Sequence, residues 1–344
     1  MPEQPEPAQQ VAGAAITRRQ AIVAGSAVAA GAWIAPQIVS VPAASAATAP
    51  PLDLFVVGDN IGQAFASSDG GATWAPGMTI TPSFPLVTMA ASATRVVAFD
   101  AGGVAYHSAD GSSWSPAASS PSSFVPSAVA GDGSGTFVVV GNAGMTYRSV
   151  DDGQTWLPGP VPGPDDLRAV AYGTRFVAVG NGGHVYVSND DGATWSPAGE
   201  PPIGAADLIA VACFGDTAAA ADDSGQVFFA PPPSSGDTWI SADVQPIQPA
   251  YIRAIIWTGA QFVGVGDDGD VTGKVFLGTN GGAEWNDAAL APDYPLTDVA
   301  TDGTTIVATD VTGHVWVSTD DGNTWTQPAG QPVLASTLNC ITHR

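Results

Sequence analysis

Basic side chains are scarce in this chain. It has 9 Lys and Arg against 32 Asp and Glu, so the formal net charge at pH 7 is −23. Nucleic-acid binding depends on basic patches that contact phosphates, and anionic lipid surfaces attract the same patches. The composition therefore argues against nucleic-acid and anionic-membrane partners. It favours solubility, and it is compatible with cationic proteins or neutral sugars as partners.

Cysteine is scarce as well. The chain has 2 cysteines, Cys213 and Cys340, and they are far apart in the sequence. They form none of the short paired spacings that bind zinc or that mark redox motifs. The sequence therefore predicts neither a metal nor a cofactor.

Segments long and apolar enough to cross a membrane are absent beyond residue 49. Before it, Arg18 and Arg19 precede an Ala-rich stretch over residues 21–41, and Ala44-Ser45-Ala46 offers a small-residue cleavage site. This order predicts a twin-arginine signal peptide with its c-region over residues 1–49. An uncleaved anchor is the alternative, although Pro36 interrupts the stretch. We expect export to the periplasm, cell envelope or exterior, with a single domain over residues 50–344 and no membrane span after signal removal.

One short phrase recurs seven times in that domain. Its first copy is Ser67-Ser68-Asp69-Gly70-Gly71-Ala72-Thr73-Trp74, and two degenerate copies end at Trp239 and Trp285. The Asp and Trp of the five better copies are Asp69, Trp74, Asp110, Trp114, Asp151, Trp156, Asp190, Trp195, Asp320 and Trp325. The seven tryptophans recur at intervals of 39 to 46 residues. A period in this range is typical of propeller blades.

The phrase has the properties of a hairpin turn between two strands. Its Asp can accept backbone N–H groups within the turn, and its Gly supplies the positive φ that a tight reversal needs. Thr and Trp then begin the returning strand, where β-branched and aromatic side chains pack well. A catalytic Asp would not recur seven times at one spacing, so we interpret the Asp and Trp positions as structural.

Each period contains the same series of short apolar strands separated by Gly and Asp turns. In the fourth period, segments at 167–172, 175–180 and 184–188 precede the strand that begins at Thr194. The sequence therefore predicts an all-β fold, a seven-bladed β-propeller of four-stranded blades. The first period lacks a first strand, and residues 337–342 align with the first strands of other blades. We expect this C-terminal strand to pair in blade one and close the ring.

Blade five contains the irregular residues of the domain. Pro231-Pro232-Pro233 lies where its outer hairpin approaches the turn. Since proline donates no N–H group to a ladder, we expect a short outer strand and a less stable blade.

Cys213 and Cys340 map to the first strands of blades five and one, three steps apart around the ring. Both are therefore expected to be buried thiols, and a disulfide between them is the less favoured alternative.

The repeated phrase resembles the Asp-box, or BNR, repeat of sialidases, xyloglucanases, sortilin-type receptors and photosystem II assembly-factor-like propellers. The second strands, such as Phe-Val-Ala-Val-Gly-Asn-Gly-Gly at 176–183, are most like the assembly-factor-like (WD40-YVTN-BNR-like) exported propellers. The resemblance covers nearly all of the exported chain. It implies that the hairpins join third and fourth strands at the periphery, away from the binding face. That relative holds its partner with an arginine-rich patch, which this chain lacks.

Alignment of the blades places a polar residue at the end of every second strand. These residues are Asp59, Asp100, Asn142, Asn181, Asp222, Asp267 and Asp310. Each can cap the tight turn that follows it. Alternatively, they form an acidic rim on the loop face, the face on which second strands turn into third strands and where propellers bind ligands. The sequence leaves both interpretations open.

The candidate ligand-binding residues are Asp222, Asp267, Asp268, Asp310, Lys274, Arg253, Arg168, His184 and His314. Arg168 and Arg253 occupy equivalent places in two first strands, where they can pair with nearby carboxylates or clamp an anionic ligand. His184 and His314 belong to blades four and seven, which is poor geometry for one metal. Blades five to seven combine acidic residues with Lys274 and Arg253, so this sector is the predicted site.

Two functions of different classes fit these features. The first is a non-catalytic binding or scaffold propeller, an exported monomer that recognises a protein or carbohydrate partner through its loop face. The alternative is a sialidase-like or xyloglucanase-like glycoside hydrolase with an Asp pair on the same face. The Arg-Ile-Pro motif of sialidases is absent, and the exported part has two glutamates, Glu200 and Glu284. We therefore expect binding without catalysis and assign no catalytic residue.

Overall fold

The computed structural model describes the backbone of two short N-terminal segments and most of the domain that follows. The described residues are 20–25, 36–40, 53–121, 123–199, 206–232, 238–248, 250–269, 271–288, 292–329 and 336–344. The N-terminal segments are strands β1 (Gln20–Gly25) and β2 (Pro36–Ser40), which pair antiparallel with each other. No helix within these ranges is long and apolar enough to span a membrane.

The first four blades are antiparallel sheets in chain order. Their strands are β3 (Phe55–Asp59), β4 (Gln63–Ser67), β5 (Met78–Thr79), β6 (Leu86–Ala91), β7 (Val96–Asp100), β8 (Ala105–Ser108), β9 (Trp114–Pro116), β10 (Pro126–Gly131), β11 (Phe137–Gly141), β12 (Thr146–Ser149), β13 (Leu157–Pro158), β14 (Leu167–Tyr172), β15 (Phe176–Gly180), β16 (Val185–Ser188) and β17 (Ser196–Pro197). Blade one contains β3 to β5, and β6 to β9, β10 to β13 and β14 to β17 form blades two, three and four.

Blades five to seven continue the series. Their strands, followed by the C-terminal strand, are β18 (Leu208–Phe214), β19 (Thr217–Asp222), β20 (Val227–Ala230), β21 (Ile240–Ser241), β22 (Tyr251–Trp257), β23 (Phe262–Asp267), β24 (Gly273–Thr279), β25 (Glu284–Asp287), β26 (Leu296–Thr301), β27 (Ile306–Asp310), β28 (Val315–Ser318) and β29 (Leu338–His343). Blade five contains β18 to β21, blade six β22 to β25, and blade seven β26 to β28. In blade seven the fourth position is a single bridge between Val317 and Thr326.

The C-terminal strand closes the ring, as the sequence predicts. β29 pairs antiparallel with β3, in a register that opposes Leu338 to Asp59 and His343 to Phe55. The closure also extends to the next blade, because the Asn339 side-chain amide donates to the carbonyl of Leu86 at 3.0 Å. Blade one is therefore assembled from both ends of the domain, and seven four-stranded blades form a closed all-β ring.

Each blade buries its central strands on both faces. Every residue of β3, β7, β11, β15 and β27 is buried. This pattern is expected because both faces of a central strand pack against neighbouring blades. Phe55, Phe137, Phe176 and Phe262 each begin a second strand and are fully buried. The core is thus a set of interfaces between blades.

Every first strand carries a register irregularity at the same place. The pairing of first with second strand shifts after Leu86, Pro126, Leu167, Leu208, Ile252, Leu296 and Leu338. Such a bulge re-aims the side chain of the extra residue. Arg168 and Arg253 are the extra residues of blades four and six, which explains why both extend from otherwise apolar strands.

Blade five has a short outer strand, as expected, but it is no shorter than several others. β21 has 2 residues, and so do β5, β13 and β17. Trp239 is buried at 4% exposure, and residues 233–237 of its hairpin lie outside the described part.

Cys213 and Cys340 are both buried free thiols, and burial raises the pKa of Cys213 to about 12.

The N-terminal hairpin lies along the inner edges of the blades. β1 pairs with β26 through Ile22 and Thr301, and β2 pairs with β10 through Val39 and Gly131. Both strands fall within the stretch for which the sequence predicts a signal peptide. The proposed cleavage site at residues 44–46 lies outside the described residues, so the signal stays a prediction.

Candidate binding face

The repeated hairpin is held by one network of hydrogen bonds. In the first copy, Asp69 Oδ1 accepts from the Thr73 N–H at 2.8 Å and Oδ2 accepts from the Thr73 hydroxyl at 2.6 Å. Ser67 donates to Asp69 and accepts from the Gly71 N–H at 2.9 Å. The indole N–H of Trp74 donates to the Gly71 carbonyl at 3.0 Å. The bond from the Thr73 hydroxyl, together with its N–H, lowers the pKa of Asp69.

The same network recurs in other blades. Asp151, Asp190 and Asp320 each accept from the N–H and hydroxyl of the Thr four residues later. Asp110, in the shortened copy, accepts from Ser113 instead. These carboxylates make their hydrogen bonds within the turn, which supports the structural interpretation made from the sequence.

The hairpin also fastens each blade to the preceding one. A Cβ added to Gly71 would lie 3.1 Å from Val307 of blade seven, and one added to Gly322 would lie 3.0 Å from Val263 of blade six. Both glycines have a φ near +85°. The hairpin glycine therefore satisfies a left-handed conformation and a close approach to a neighbouring second strand at once. We call this side of the ring the hairpin face.

On the loop face, the aspartates that end second strands are buried. Asp59, Asp222 and Asp310 are fully buried, and Asp100 and Asp267 are no more than 3% exposed. Asp222 Oδ1 accepts from the N–H groups of Ser224 at 2.9 Å and Gln226 at 2.8 Å. The other four make the same turn contact. Turn capping accounts for these positions, and ligand contact at Asp222, Asp267 and Asp310 stays a prediction.

In four of the five blades that have this aspartate, its second carboxylate oxygen has a donor, and the donor differs each time. The donors are the Ser336 hydroxyl for Asp59, the Tyr106 hydroxyl for Asp100, the Arg253 guanidinium for Asp267 and the Trp316 indole for Asp310. In blade five, Oδ2 of Asp222 is buried without a hydrogen-bond partner among the described residues. Phe228 of β20 occupies the strand position that Tyr106 has in β8, so the blade lacks the hydroxyl donor.

The basic candidates pair within their own blades. Arg253 Nε lies 2.6 Å from Asp267 Oδ2, and Arg168 Nε lies 2.6 Å from Asn181 Oδ1. Lys274 Nζ lies 3.0 Å from Asp287 Oδ2. The structure therefore places the basic side chains in separate local pairs and does not bring them together as a clamp.

The two candidate histidines also lie in separate blades. His184 Nε2 is 3.3 Å from Asp165 Oδ2. His314 Nδ1 is 2.7 Å from the Thr312 hydroxyl, and its ring stacks on Tyr294 with a centroid distance of 6.4 Å. Asp268 Oδ1 accepts from the Thr272 N–H at 3.3 Å, inside the long turn of blade six. These contacts hold loops in place.

Exposed apolar side chains are the main feature of the loop face that sequence reasoning missed. Seven of them lie in its connections at 44% to 70% exposure: Ile61, Phe84, Val125, Val161, Ile247, Val271 and Tyr294. A signal was present, because Phe84, Val125, Val161 and Tyr294 each directly precede a proline. Proline holds the preceding residue extended and ends pairing, which leaves its side chain outside the sheet.

Exposed carboxylates lie among these apolar residues. Asp165 and Asp293 each come just before a first strand, and Asp223 follows the second strand of blade five. Partial burial and the charges of Asp207 and Asp222 raise the pKa of Asp223. The loop face thus offers apolar contacts together with exposed carboxylates.

The fold and this face define a seven-bladed β-propeller with a candidate binding surface on one side. Solved structures share the fold: YCF48 from Cyanidioschyzon merolae, at 16% identity and a TM-score of 0.55, covers 75% of this chain and 94% of its own. The structure of YCF48 bound to D1 peptide has 15% identity and a TM-score of 0.57, and the match covers 88% of this chain and 99% of that one. The computationally designed Ika8 protein has 13% identity and a TM-score of 0.61, over 89% and 95%.

These likenesses establish the architecture. No protein-family model matches the sequence, and no curated protein matches it.

Proposed function

We propose that this protein is an exported, non-catalytic propeller whose loop face binds an extended segment of a protein partner. The observation that carries the proposal is the concentration of exposed apolar side chains in the loop-face connections. Exposed apolar side chains with polar groups around them are typical of protein-interaction surfaces. The residues outside each turn vary from blade to blade, as loops that determine specificity do on a rigid scaffold.

The chemistry of the face suggests the composition of the partner segment. Ile247, Phe84 and Tyr294 offer apolar contacts, and Asp223 and Asp293 add negative charge to a chain whose net charge is −23. A segment with apolar side chains and Lys or Arg would complement both properties. The YCF48 structure with a bound peptide supports a peptide ligand by analogy of fold.

The same observations make hydrolysis the second choice. Glycoside hydrolysis needs two carboxyl groups free to reach the scissile bond. The buried aspartates of the loop face are instead engaged in their turns, Glu284 is half-buried beside Asn280, and Glu200 lies outside the described residues. We also propose that the repeated hairpins are Asp-box repeats and that their role is structural. Export by the twin-arginine pathway and a monomeric state belong to the same proposal, and a carbohydrate partner is the alternative ligand.

Peptide display on the immobilised full chain tests the proposal. We expect selected peptides to combine Lys or Arg with apolar residues. Ile247→Ser and Asp223→Lys should each weaken binding at least tenfold, because they remove an apolar contact and reverse a charge at the interface. The melting temperature should change little, since both side chains are exposed.

Matched substitutions on the hairpin face provide the control. Val150→Ser and Asp216→Lys change an exposed apolar residue and an exposed carboxylate there, and should leave peptide binding intact. Equal losses from both pairs would contradict loop-face binding. Turnover of a glycoside that disappears with one loop-face aspartate would move the protein into the hydrolase class, and capture of oligosaccharides alone would make the partner a glycan.

A further inference from the structure

Three potential metal ligands meet at the seam where the ring closes. Asp53 precedes β3, His343 ends β29, and Asp302 begins the turn after β26 of blade seven. One ligand atom from each lies within 4.8 Å of the other two. The three residues come from distant parts of the sequence, so closure of the ring is what assembles them.

His343 is the buried member of this group. It is 8% exposed, and its ring packs on Phe55 at a centroid distance of 4.7 Å. Its Nε2 lies 2.8 Å from Asp53 Oδ1, and its buried Nδ1 has no hydrogen-bond partner in the described residues. Within that part of the chain, the imidazole therefore makes no hydrogen bond outside the group. A buried imidazole beside two carboxylates is a set of three donors that a cation would complete.

The two carboxylates suit this role in different ways. The turn holds Asp302 in place, because its Oδ1 accepts from the N–H groups of Thr304 and Thr305, both at 2.6 Å. Its hydrogen bonds within the described residues all end on Oδ1, which leaves Oδ2 for a ligand. The Asp53 side chain is 60% exposed and can rotate by the small amount that convergence on one ion requires.

We propose that Asp53, Asp302 and His343 bind one divalent first-row cation, such as Mn²⁺ or Zn²⁺, across the closure seam. An imidazole with two carboxylates is a donor set that these ions accept, whereas Mg²⁺ and Ca²⁺ prefer oxygen ligands alone. Ligand bonds of about 2.0–2.2 Å fit inside the triangle of donor atoms after small side-chain shifts. The site is independent of the loop-face function.

Binding at this place would join both ends of blade one to blade seven. An ion that binds the closed ring and not the unfolded chain stabilises the closed state by mass action. Coordination at Nε2 moves the imidazole proton to Nδ1. Since Nδ1 has no acceptor in the described part, the outer shell is incomplete, and we expect a modest affinity.

Thermal unfolding of the full chain, stripped with a chelator and then supplied with MnCl₂, ZnCl₂ or MgCl₂, tests the site. We expect Mn²⁺ or Zn²⁺ to raise the melting temperature with one ion bound per chain by calorimetry, and Mg²⁺ to have little effect. Asp302→Asn should weaken ion binding at least tenfold and abolish the shift. Its Oδ1 can still accept the turn hydrogen bonds, so the variant should fold.

Asp132→Asn is the matched control. Asp132 begins the corresponding turn of blade three and accepts from the N–H groups of Ser134 and Thr136, but the residue of the next blade that corresponds to His343 is Tyr172, which offers no imidazole. This variant should keep the full response to the ion. The proposal is wrong if neither Mn²⁺ nor Zn²⁺ stabilises the parent. It is equally wrong if Asp302→Asn and Asp132→Asn respond like the parent, because the ions would then bind the acidic surface generally.

Discussion

The two faces of the ring use aspartate in opposite ways. On the hairpin face, Asp69 and Asp320 are exposed, and their turns repeat almost unchanged from blade to blade. On the loop face, Asp59 and Asp310 are buried, and the donor to their second oxygen differs in each blade. The hairpin face therefore makes the same packing contact between every pair of adjacent blades described here. The loop face buries the aspartates that cap its turns and exposes residues that vary.

This difference separates stability from recognition. A hairpin that packs its glycine on the preceding blade is constrained by a neighbour, so its sequence repeats. A loop-face connection is constrained only by the buried aspartate that caps its turn, so the residues beyond it can change. The same ring thus supplies a conserved geometry on one side and a variable surface on the other.

The largest predicted effect concerns the hairpin tryptophans. Trp285 is fully buried, so Trp285→Ala should cost about 3–5 kcal/mol of unfolding free energy. Trp74 is half-buried, and Trp74→Ala should cost less. Denaturant melts measure both, and peptide binding at the loop face should survive in each folded variant. A loss of peptide binding without a loss of stability would contradict the claim that the hairpin face serves stability and the loop face serves recognition.

The next effect compares one aspartate from each face. Asp310→Ala leaves the buried indole N–H of Trp316 and the N–H groups of Thr312 and His314 without their acceptor. We expect a cost of about 2–4 kcal/mol, since several buried donors are affected. Asp320→Ala should cost less, because the groups it leaves are open to water. A larger loss of unfolding free energy for Asp320→Ala in urea melts would show that the hairpin aspartates contribute more to stability than the loop-face ones.

A smaller effect concerns Asp298, which lies inside the blade seven–blade one interface. It accepts from the N–H groups of Val299 at 2.6 Å and Ile341 at 2.7 Å, and burial raises its pKa well above the ordinary value. A raised folded pKa gives stability that is present at low pH, below the unfolded pKa, and is lost as the pH rises through the folded pKa. The hairpin aspartates, whose pKa values are lowered, contribute stability that is lost as the pH falls.

Asp298→Thr tests this contribution. The equivalent residue in blade two is Thr88, whose hydroxyl accepts from the Val129 N–H of the next blade at 3.1 Å. Threonine should keep the bond across the seam and remove the titrating group. The stability of the variant relative to the parent should therefore increase as the pH rises. Parallel stability–pH curves for the two proteins would contradict a raised pKa at Asp298.

The smallest predicted effect is an increase in stability. Phe228→Tyr places a hydroxyl where Tyr106 has one, 3.2 Å from Asp100 Oδ2 in blade two. In blade five it should donate to Asp222 Oδ2 and stabilise the protein by about 1 kcal/mol. Phe276→Tyr in blade six is the control without gain, because Asp267 already has Arg253. No gain at residue 228 in thermal melts would mean that the oxygen is satisfied by water.

Much of the fold could be predicted from the sequence, because it depends on local patterns that repeat. The tryptophan period predicted seven blades, and the missing first strand of the first period predicted closure by β29. The bulges that re-aim Arg168 and Arg253 could not be predicted, since a bulge is a property of pairing between strands. The exposure of Phe84 and Tyr294 was signalled by the prolines that follow them, although that signal was not used.

The sequence by itself determined the repeat, the hairpin chemistry and the number of blades, because each depends on residues within a few positions of one another. Only the tertiary structure decided which polar residues are buried and which distant residues meet. Asp222 and Asp223 are neighbours in the chain, yet the first is buried and the second is exposed. Asp53, Asp302 and His343 meet only because the ring closes. Burial and proximity depend on the packing of whole blades, and no local pattern in the sequence encodes that packing.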